Sequence, residues 1–243
     1  MKTVRKYGWI AIFMSLPFGL LARPVKSNSP DNKNIAWNRA LALKGDSIYN
    51  ALDLQQEGLS KRAFQFAWKG YCILLNRRQL ENPDVLTICD FSQSSKNKRM
   101  YIIDLQQGML LLRTYVAHGR NSGKEYANRF SNRPESHQSS LGFYVTKTTY
   151  VGEHGLSLRI AGMEPGFNDR ALKRNIVVHG AHYAAEDFME NNKVCGRSYG
   201  CPAVPDIESE EVIDAIKNGS CLFIYHPTQK YIKGSRILNS KTS

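Results

Sequence analysis

Two histidines and two cysteines fall within the stretch IVVHGAHYAAEDFMENNKVCGRSYGCPAV, residues 176–204. A thiol beside an imidazole suits nucleophilic acyl transfer. The base takes the thiol proton, the sulfur attacks a carbonyl, and main-chain N–H groups hold the oxyanion that forms. His179 follows Val177 and Val178, so its ring stands at the end of a buried-type strand where Gly180 lets the chain turn. Further on, Ser198, Tyr199, Gly200 and Cys201 run into Pro202. Glycines at 196 and 200 allow turns closed to other residues, and Pro202 has no N–H to contribute. The amides of Gly200 and Cys201 are therefore expected to be free for a bound oxygen. A free cysteine, with a pKa of ~8.5, is only a few per cent thiolate near neutrality, and a neighbouring imidazolium lowers that value by several units. A carbonyl in the His179–Gly180 turn would hold the other ring nitrogen and fix the tautomer.

The same residues admit other chemistry. His179, His182, Cys195 and Cys201 are four possible zinc ligands, but their spacing does not match the usual short ligand pairs, and no metal site is expected. Cys195 and Cys201, with glycines between them, could close a disulfide ring that would mask the thiol. Papain-like cysteine peptidases place the nucleophile before the histidine, the reverse of the order here.

The rest of the chain limits the setting. Its 243 residues suffice for one main domain with an accessory segment. Lys2, Arg5 and Lys6 precede an uncharged apolar run from Tyr7 to Ala22, which reads as a secretory signal over residues 1–22. The run is shorter than the ~20 residues a spanning helix needs. An uncleaved N-terminal anchor is the alternative, and no other membrane span is expected. The formal charge is +12, and removing those three cations leaves a strongly basic chain. For an exported protein this favours anionic wall polymer or a membrane surface; no basic stripe with interleaved aromatics points to nucleic acid. All five cysteines, at 72, 89, 195, 201 and 221, lie beyond the signal, and an odd number cannot all pair within one chain. Cys72 and Cys89 are a possible pair, and Cys221 sits in an apolar, core-type run. Nothing in the sequence fixes an oligomeric state.

The elements that must position these residues follow from periodicity. Residues 23–45 read as a flexible linker, on the polar, proline-containing RPVKSNSPDNKN. A short helix is expected around Ser47 to Gln56, and a longer one over about 61–75 with Ser60 as N-cap. Together they form a helical extension, 46–84. Short β-type runs then begin at residue 85: VLTICDF, RMYIIDL, MLLLRTYVA, GFYVTKTTYV, LSLRIAG and NIVVHG. QQG between the second and third reads as a hairpin turn. A helical IESEEVIDAIKNG and a buried strand SCLFIYH close the domain, with 231–243 as a tail. The fold class is α+β: mostly β, with an N-terminal helical segment and a C-terminal helix.

The strand ending HG, the glycine-containing loop, the S-x-G-C-P of residues 198–202 and the upstream SSLGFY together resemble the murein L,D-transpeptidase catalytic-domain family. GLSKRAFQFAWKGY, YIIDLQQGMLLLRTYVAHGRNSG and RSYGCPAV extend the resemblance over about residues 46–227, in the variant branch whose signature ends S-x-G-C-P. It implies a β-sandwich or barrel and a catalytic domain over 85–230. It also implies roles: Cys201 as nucleophile, His179 as base, Gly180 as the residue whose carbonyl orients the imidazole. Tyr199, Gly200 and Cys201 would supply oxyanion amides, with Ser198 bracing the turn. His118, Arg120, Tyr144, His182 and Arg197 are candidates for the substrate groove, whereas His137, His154 and His226 are expected to have no chemical role. The implied reaction is attack on the third residue of a peptidoglycan tetrapeptide stem, release of D-Ala, and resolution of the thioester by an amine or by water. The implied partners are peptidoglycan stem peptides, without cofactor or metal, in the periplasm or cell envelope. Better-known members have S-H-G-C followed by Arg or Asn; here Tyr199 replaces that histidine and Pro202-Ala203-Val204 follows. A peptidoglycan-binding module that keeps the fold without turnover is the alternative.

Overall fold

The computed structural model describes residues 30–240. The expected signal, residues 1–22, lies outside the described residues, as do 23–29 and 241–243. No helix among the described residues is long and apolar enough to cross a membrane.

Two helices lead. The first, α1 (Pro30–Ala51), starts well inside the stretch read as a flexible linker and stops before Gln56. Trp68 of the second helix donates its indole N–H to the Leu41 carbonyl at 2.8 Å, and Tyr49 is buried against Phe64. Tertiary packing thus organises a segment whose composition alone reads as polar and irregular. α2 (Lys61–Asn76) has its expected cap: the Ser60 side chain accepts from the Ala63 N–H at 3.1 Å. Ala63, Phe64, Ala67, Trp68, Tyr71 and Leu74 recur at helical spacing and face the core. Gly70 is needed there, because a Cβ at that position would meet the Phe143 ring at 1.9 Å.

The sheet has eight strands: β1 (Val85–Asp90), β2 (Met100–Asp104), β3 (Met109–Thr114), β4 (Gly142–Gly152), β5 (Gly155–Gly162), β6 (Val177–Gly180), β7 (Ala203–Val204) and β8 (Cys221–Tyr225). Their order is β3-β2-β1-β8-β4-β5-β6-β7. β1 pairs with β8, and β6 with β7, in parallel; the other pairs are antiparallel. The chain beyond β3 returns to the far edge, where the Ala117 N–H donates to the Ala203 carbonyl at 2.7 Å. This contact joins the two edges of the sheet and gives the barrel-like core. Central β1 is buried at every residue and touches both α2 and α4 (Ser209–Ile216), which accounts for its apolar residues falling on both faces.

Two further regions depart from the sequence reading. Between β6 and β7, a 3-10 turn (His182–Ala184) and a short helix α3 (Glu186–Asn192) occupy what read as loop. The expected tail carries α5 (Gln229–Gly234) and is part of the core: Tyr231, Ile237 and Leu238 are buried. The Tyr231 hydroxyl donates to the buried Glu164 carboxylate at 2.6 Å, and the Ser235 hydroxyl donates to its other oxygen. Two hydroxyl donors for an otherwise costly buried carboxylate tie this segment down.

Candidate active site

Parallel pairing of β6 with β7 sets the site. His179 lies opposite Ala203, two residues beyond Cys201, and the Val177 N–H donates to Cys201 Sγ at 3.5 Å. The sulfur also points at the Asn175 carbonyl, 3.7 Å away. Cys201 and His179 line one cavity of about 560 Å³, together with Arg120, His154, Arg174 and Tyr199 among others. No hydrogen bond joins the sulfur to the imidazole among the described residues. Two further cavities, of about 520 and 640 Å³, lie elsewhere and contain neither residue.

The imidazole is oriented from its own strand end. His179 Nδ1 lies 2.9 Å from the Gly180 carbonyl, and as the carbonyl can only accept, the proton is on Nδ1 and Nε2 is the free base. Burial, then the neighbouring His154, push His179 below the ordinary histidine range, against the opposing pull of that carbonyl. Burial likewise raises the Cys201 thiol, while the Val177 amide and Arg174 act in the other direction. Neutral thiol beside neutral imidazole is the resting pair this environment favours.

The loop that carries the thiol is held through Ser198. Its hydroxyl donates to the Cys201 carbonyl at 2.6 Å and accepts from the Gly200 N–H at 3.0 Å. The Gly200 amide is therefore committed, contrary to the expectation that it would be free; the Tyr199 N–H has no partner among the described residues, and the Cys201 N–H meets its own sulfur. Gly200 adopts φ +128°, which side-chain-bearing residues rarely reach, and a Cβ there would meet the Gln138 carbonyl at 2.8 Å. The loop is docked from the chain after β3, where the Ser198 N–H donates to the His118 carbonyl at 3.0 Å and the Arg120 N–H to the Ser198 carbonyl at 2.8 Å.

The candidate groove residues divide. Arg120 and Arg197 line the cavity. The Arg120 guanidinium lies over the Tyr199 ring at 4.6 Å and donates to His137 Nδ1 at 2.9 Å. His118 and Tyr144 do not line it: both are fully buried, His118 bonded to Arg99 Nη2 at 2.8 Å and Tyr144 donating to the Ser140 carbonyl at 2.9 Å. His182 sits outside on the 3-10 turn, exposed, 3.9 Å from Asp187. Buried hydrogen bonds hold the first two inside, whereas the third lies on the 3-10 turn after Ala181.

The four residues weighed as zinc ligands do not converge. Cys195 is buried with its sulfur 3.8 Å from the Tyr183 carbonyl, and no group of three His, Cys, Asp or Glu side chains gathers among the described residues. All five thiols are free, so neither the Cys195–Cys201 nor the Cys72–Cys89 bridge is formed. Sequence reasoning missed two residues. His154, in the turn between β4 and β5, stacks on His179 with ring centroids 4.5 Å apart. Arg174 lies in the segment before β6 and faces the same cavity. Neither belongs to a motif, and only long-range pairing of β5 with β6 brings His154 over the imidazole.

Residues 55–225 match the L,D-transpeptidase catalytic domain family, and the chain belongs to that family. No curated protein matches the chain. Among solved structures, an L,D-transpeptidase from Mycobacterium smegmatis is 11% identical, with a TM-score of 0.36 and 59% of each chain covered. One from Mycobacterium tuberculosis H37Rv is 13% identical, with a TM-score of 0.35, covering 59% of this chain and 58% of that one. The L,D-transpeptidase fragment 123–326 from Xylanimonas cellulosilytica is 13% identical, with a TM-score of 0.33 and coverages of 58% and 60%. The protein thus spans about three-fifths of the length of these chains. At such TM-scores they add nothing to the assignment, which stands on the family match.

Proposed function

We propose that the protein is an exported, cysteine-dependent peptidoglycan L,D-transpeptidase or L,D-carboxypeptidase acting on tetrapeptide stems in the periplasm or cell envelope. The observation that carries this reading is the shared cavity of Cys201 and His179, with the Gly180 carbonyl leaving Nε2 as the free base. Cys201 attacks the carbonyl carbon of the third stem residue, and its proton passes to His179. The bond to the terminal D-Ala nitrogen breaks, His179 gives the proton to that amine, and a thioester remains. The main-chain N–H groups of Tyr199 and Cys201 are the donors available to the oxyanion. An amine from a second stem resolves the thioester into a cross-link, or water releases a tripeptide. Arg120 and Arg197, at the exposed rim, suit stem carboxylates. The N-terminal apolar run, residues 7–22, supplies the export signal.

Incubation of the full chain with tetrapeptide muropeptides, read by mass spectrometry, tests the reading. Loss of D-Ala or formation of dimers by the wild type, absent in Cys201→Ser, supports it. Binding without either product would reassign the protein as a wall-binding module.

A further inference from the structure

Arg174 is a cation with no anionic partner among the described residues. Its guanidinium donates to the carbonyls of Gln138 at 2.6 Å and Ser131 at 2.8 Å, and to the hydroxyls of Ser140 at 3.2 Å and Ser136 at 3.3 Å. These four neutral acceptors fix the fork but do not neutralise it. The side chain is half-buried, and it makes no ion pair among the described residues. A Cβ added at Gly200 would lie 3.0 Å from Arg174 Nη2, so the guanidinium is set against the turn that carries Cys201. A partly desolvated, unpaired guanidinium is costly, and guanidinium does not relieve the cost by losing its proton at physiological pH. Of the groups that interact with it electrostatically, Tyr144 is fully buried away from the cavity, and the other is Cys201. His179, the other cation that could face the sulfur, is poorly suited to hold a charge. It is only 2% exposed and stacked under His154, and both burial and that neighbour disfavour the imidazolium.

We propose that Arg174 is the fixed positive charge that stabilises the Cys201 thiolate, a positioning residue, while His179, neutral at rest, takes the thiol proton and holds it as imidazolium until it is given to the leaving amine. This rests on Cys201 being the nucleophile. The thiol proton still passes to His179 Nε2, and the sulfur's negative charge is met by Arg174 until the carbonyl is attacked. Other groups face the cavity as well: His154 and the exposed Glu153 from the β4–β5 turn, Tyr183 from the 3-10 turn, and Arg120 and Arg197 at the rim. Arg120 also meets this turn, its guanidinium 4.6 Å over the Tyr199 ring, but Arg174 is set against Gly200 itself, so removing Arg174 should move the thiol more than changes at the rim do.

The test is the rate of iodoacetamide alkylation at Cys201 in the full chain, read by peptide mass spectrometry across the neutral and alkaline range. Muropeptide turnover is measured on the same preparations. Arg174→Met should move the alkylation midpoint up by about one pH unit and slow alkylation at neutral pH about tenfold. Arg174→Lys, which keeps the charge, should stay near the wild-type midpoint. Arg174→Gln, retaining a donor for the Ser131 and Gln138 carbonyls, makes the same comparison if the Met variant loses its near-ultraviolet circular dichroism. An unmoved midpoint in the neutral variants overturns the proposal. So does an equal shift in the Lys and neutral variants, which would make Arg174 a brace for residues 131–140. Turnover with no such shift leaves the acyl-transfer reading standing alone; the shift without wild-type turnover removes that reading and keeps the charge assignment.

Discussion

The chain contains three His-Gly pairs, and the two that follow an apolar run end up in contrasting surroundings. His118-Gly119 follows Val116-Ala117, and His179-Gly180 follows Val177-Val178. Both imidazoles are bonded through Nδ1. At His118 that nitrogen accepts from Arg99 at 2.8 Å, and Nε2 turns toward the Gly123 carbonyl at 3.4 Å, so both ring positions are spoken for inside the core. At His179, Nδ1 donates to the Gly180 carbonyl and Nε2 faces the cavity. Burial, with Arg99 beside it, pushes His118 down to about 3, which keeps it a neutral acceptor. Its main chain, meanwhile, docks the loop that carries Cys201. One pair is part of the scaffold, and the other borders the cavity that also holds Cys201. What separates them is which nitrogen the tertiary structure leaves open, and onto what.

Substitution at each pair can break this contrast. His179→Gln should lower turnover about 10²- to 10⁴-fold, the usual worth of a general base, with little change in thermal midpoint. His118→Leu should do the reverse. Loss of the Arg99 acceptor costs about 1–3 kcal/mol in denaturant unfolding, and the remaining folded enzyme should keep the wild-type pH dependence of Cys201 alkylation. Comparable losses of turnover at matched folded fraction would erase the distinction.

Acid stability sharpens it. The folded value of His118, about 3, lies below its ordinary 6.5, so the unfolded chain binds the extra proton first. The stability this group contributes is complete above about pH 6.5 and declines as the pH falls toward 3, at up to about 1.4 kcal/mol per unit. Urea midpoints measured down that range should fall less steeply in His118→Leu; parallel curves would contradict the buried neutral ring.

Smaller effects belong to the supports of the second pair. Gly200→Ala, strained at φ +128° and opposed by the Gln138 carbonyl, should lower turnover roughly tenfold and lower the thermal midpoint by a few degrees. His154→Ala should change turnover only a few-fold. Because His154 opposes protonation of His179, the acid limb of the activity profile should move upward in pH; an unmoved or downward limb would mean the stacked ring does not act on the base.

Much of the fold and site is legible in the sequence. The β-type runs from residue 85 become β1 to β6 with ends within about three residues, and Ser60 caps α2, because apolar periodicity and capping are local properties. The motif and its family resemblance single out Cys201 and His179, which the fold brings to one cavity, as well as the Gly180 carbonyl at the imidazole and the hydrogen bonds of Ser198. The buried states of His118 and Tyr144 are not, since the same residues on a solvent-facing element would line a groove. The helix beginning at Pro30 and the burial of Tyr231 are hidden for a related reason: polar, irregular composition says nothing of a partner surface supplied from far along the chain.

The sequence by itself determined the chemical parts, a thiol, an imidazole at a strand end and glycine-permitted turns, because those depend on residue type and short-range backbone freedom. Only the tertiary structure decided which histidine keeps an open nitrogen, that His154 covers it, and that Arg174 stands at the Gly200 turn with no ion-pair partner among the described residues. Those outcomes depend on the parallel pairing of β6 with β7 and on the contact between Ala117 and Ala203. Such pairings are selected by burial and hydrogen bonding over the whole barrel, so no local stretch of the chain encodes them.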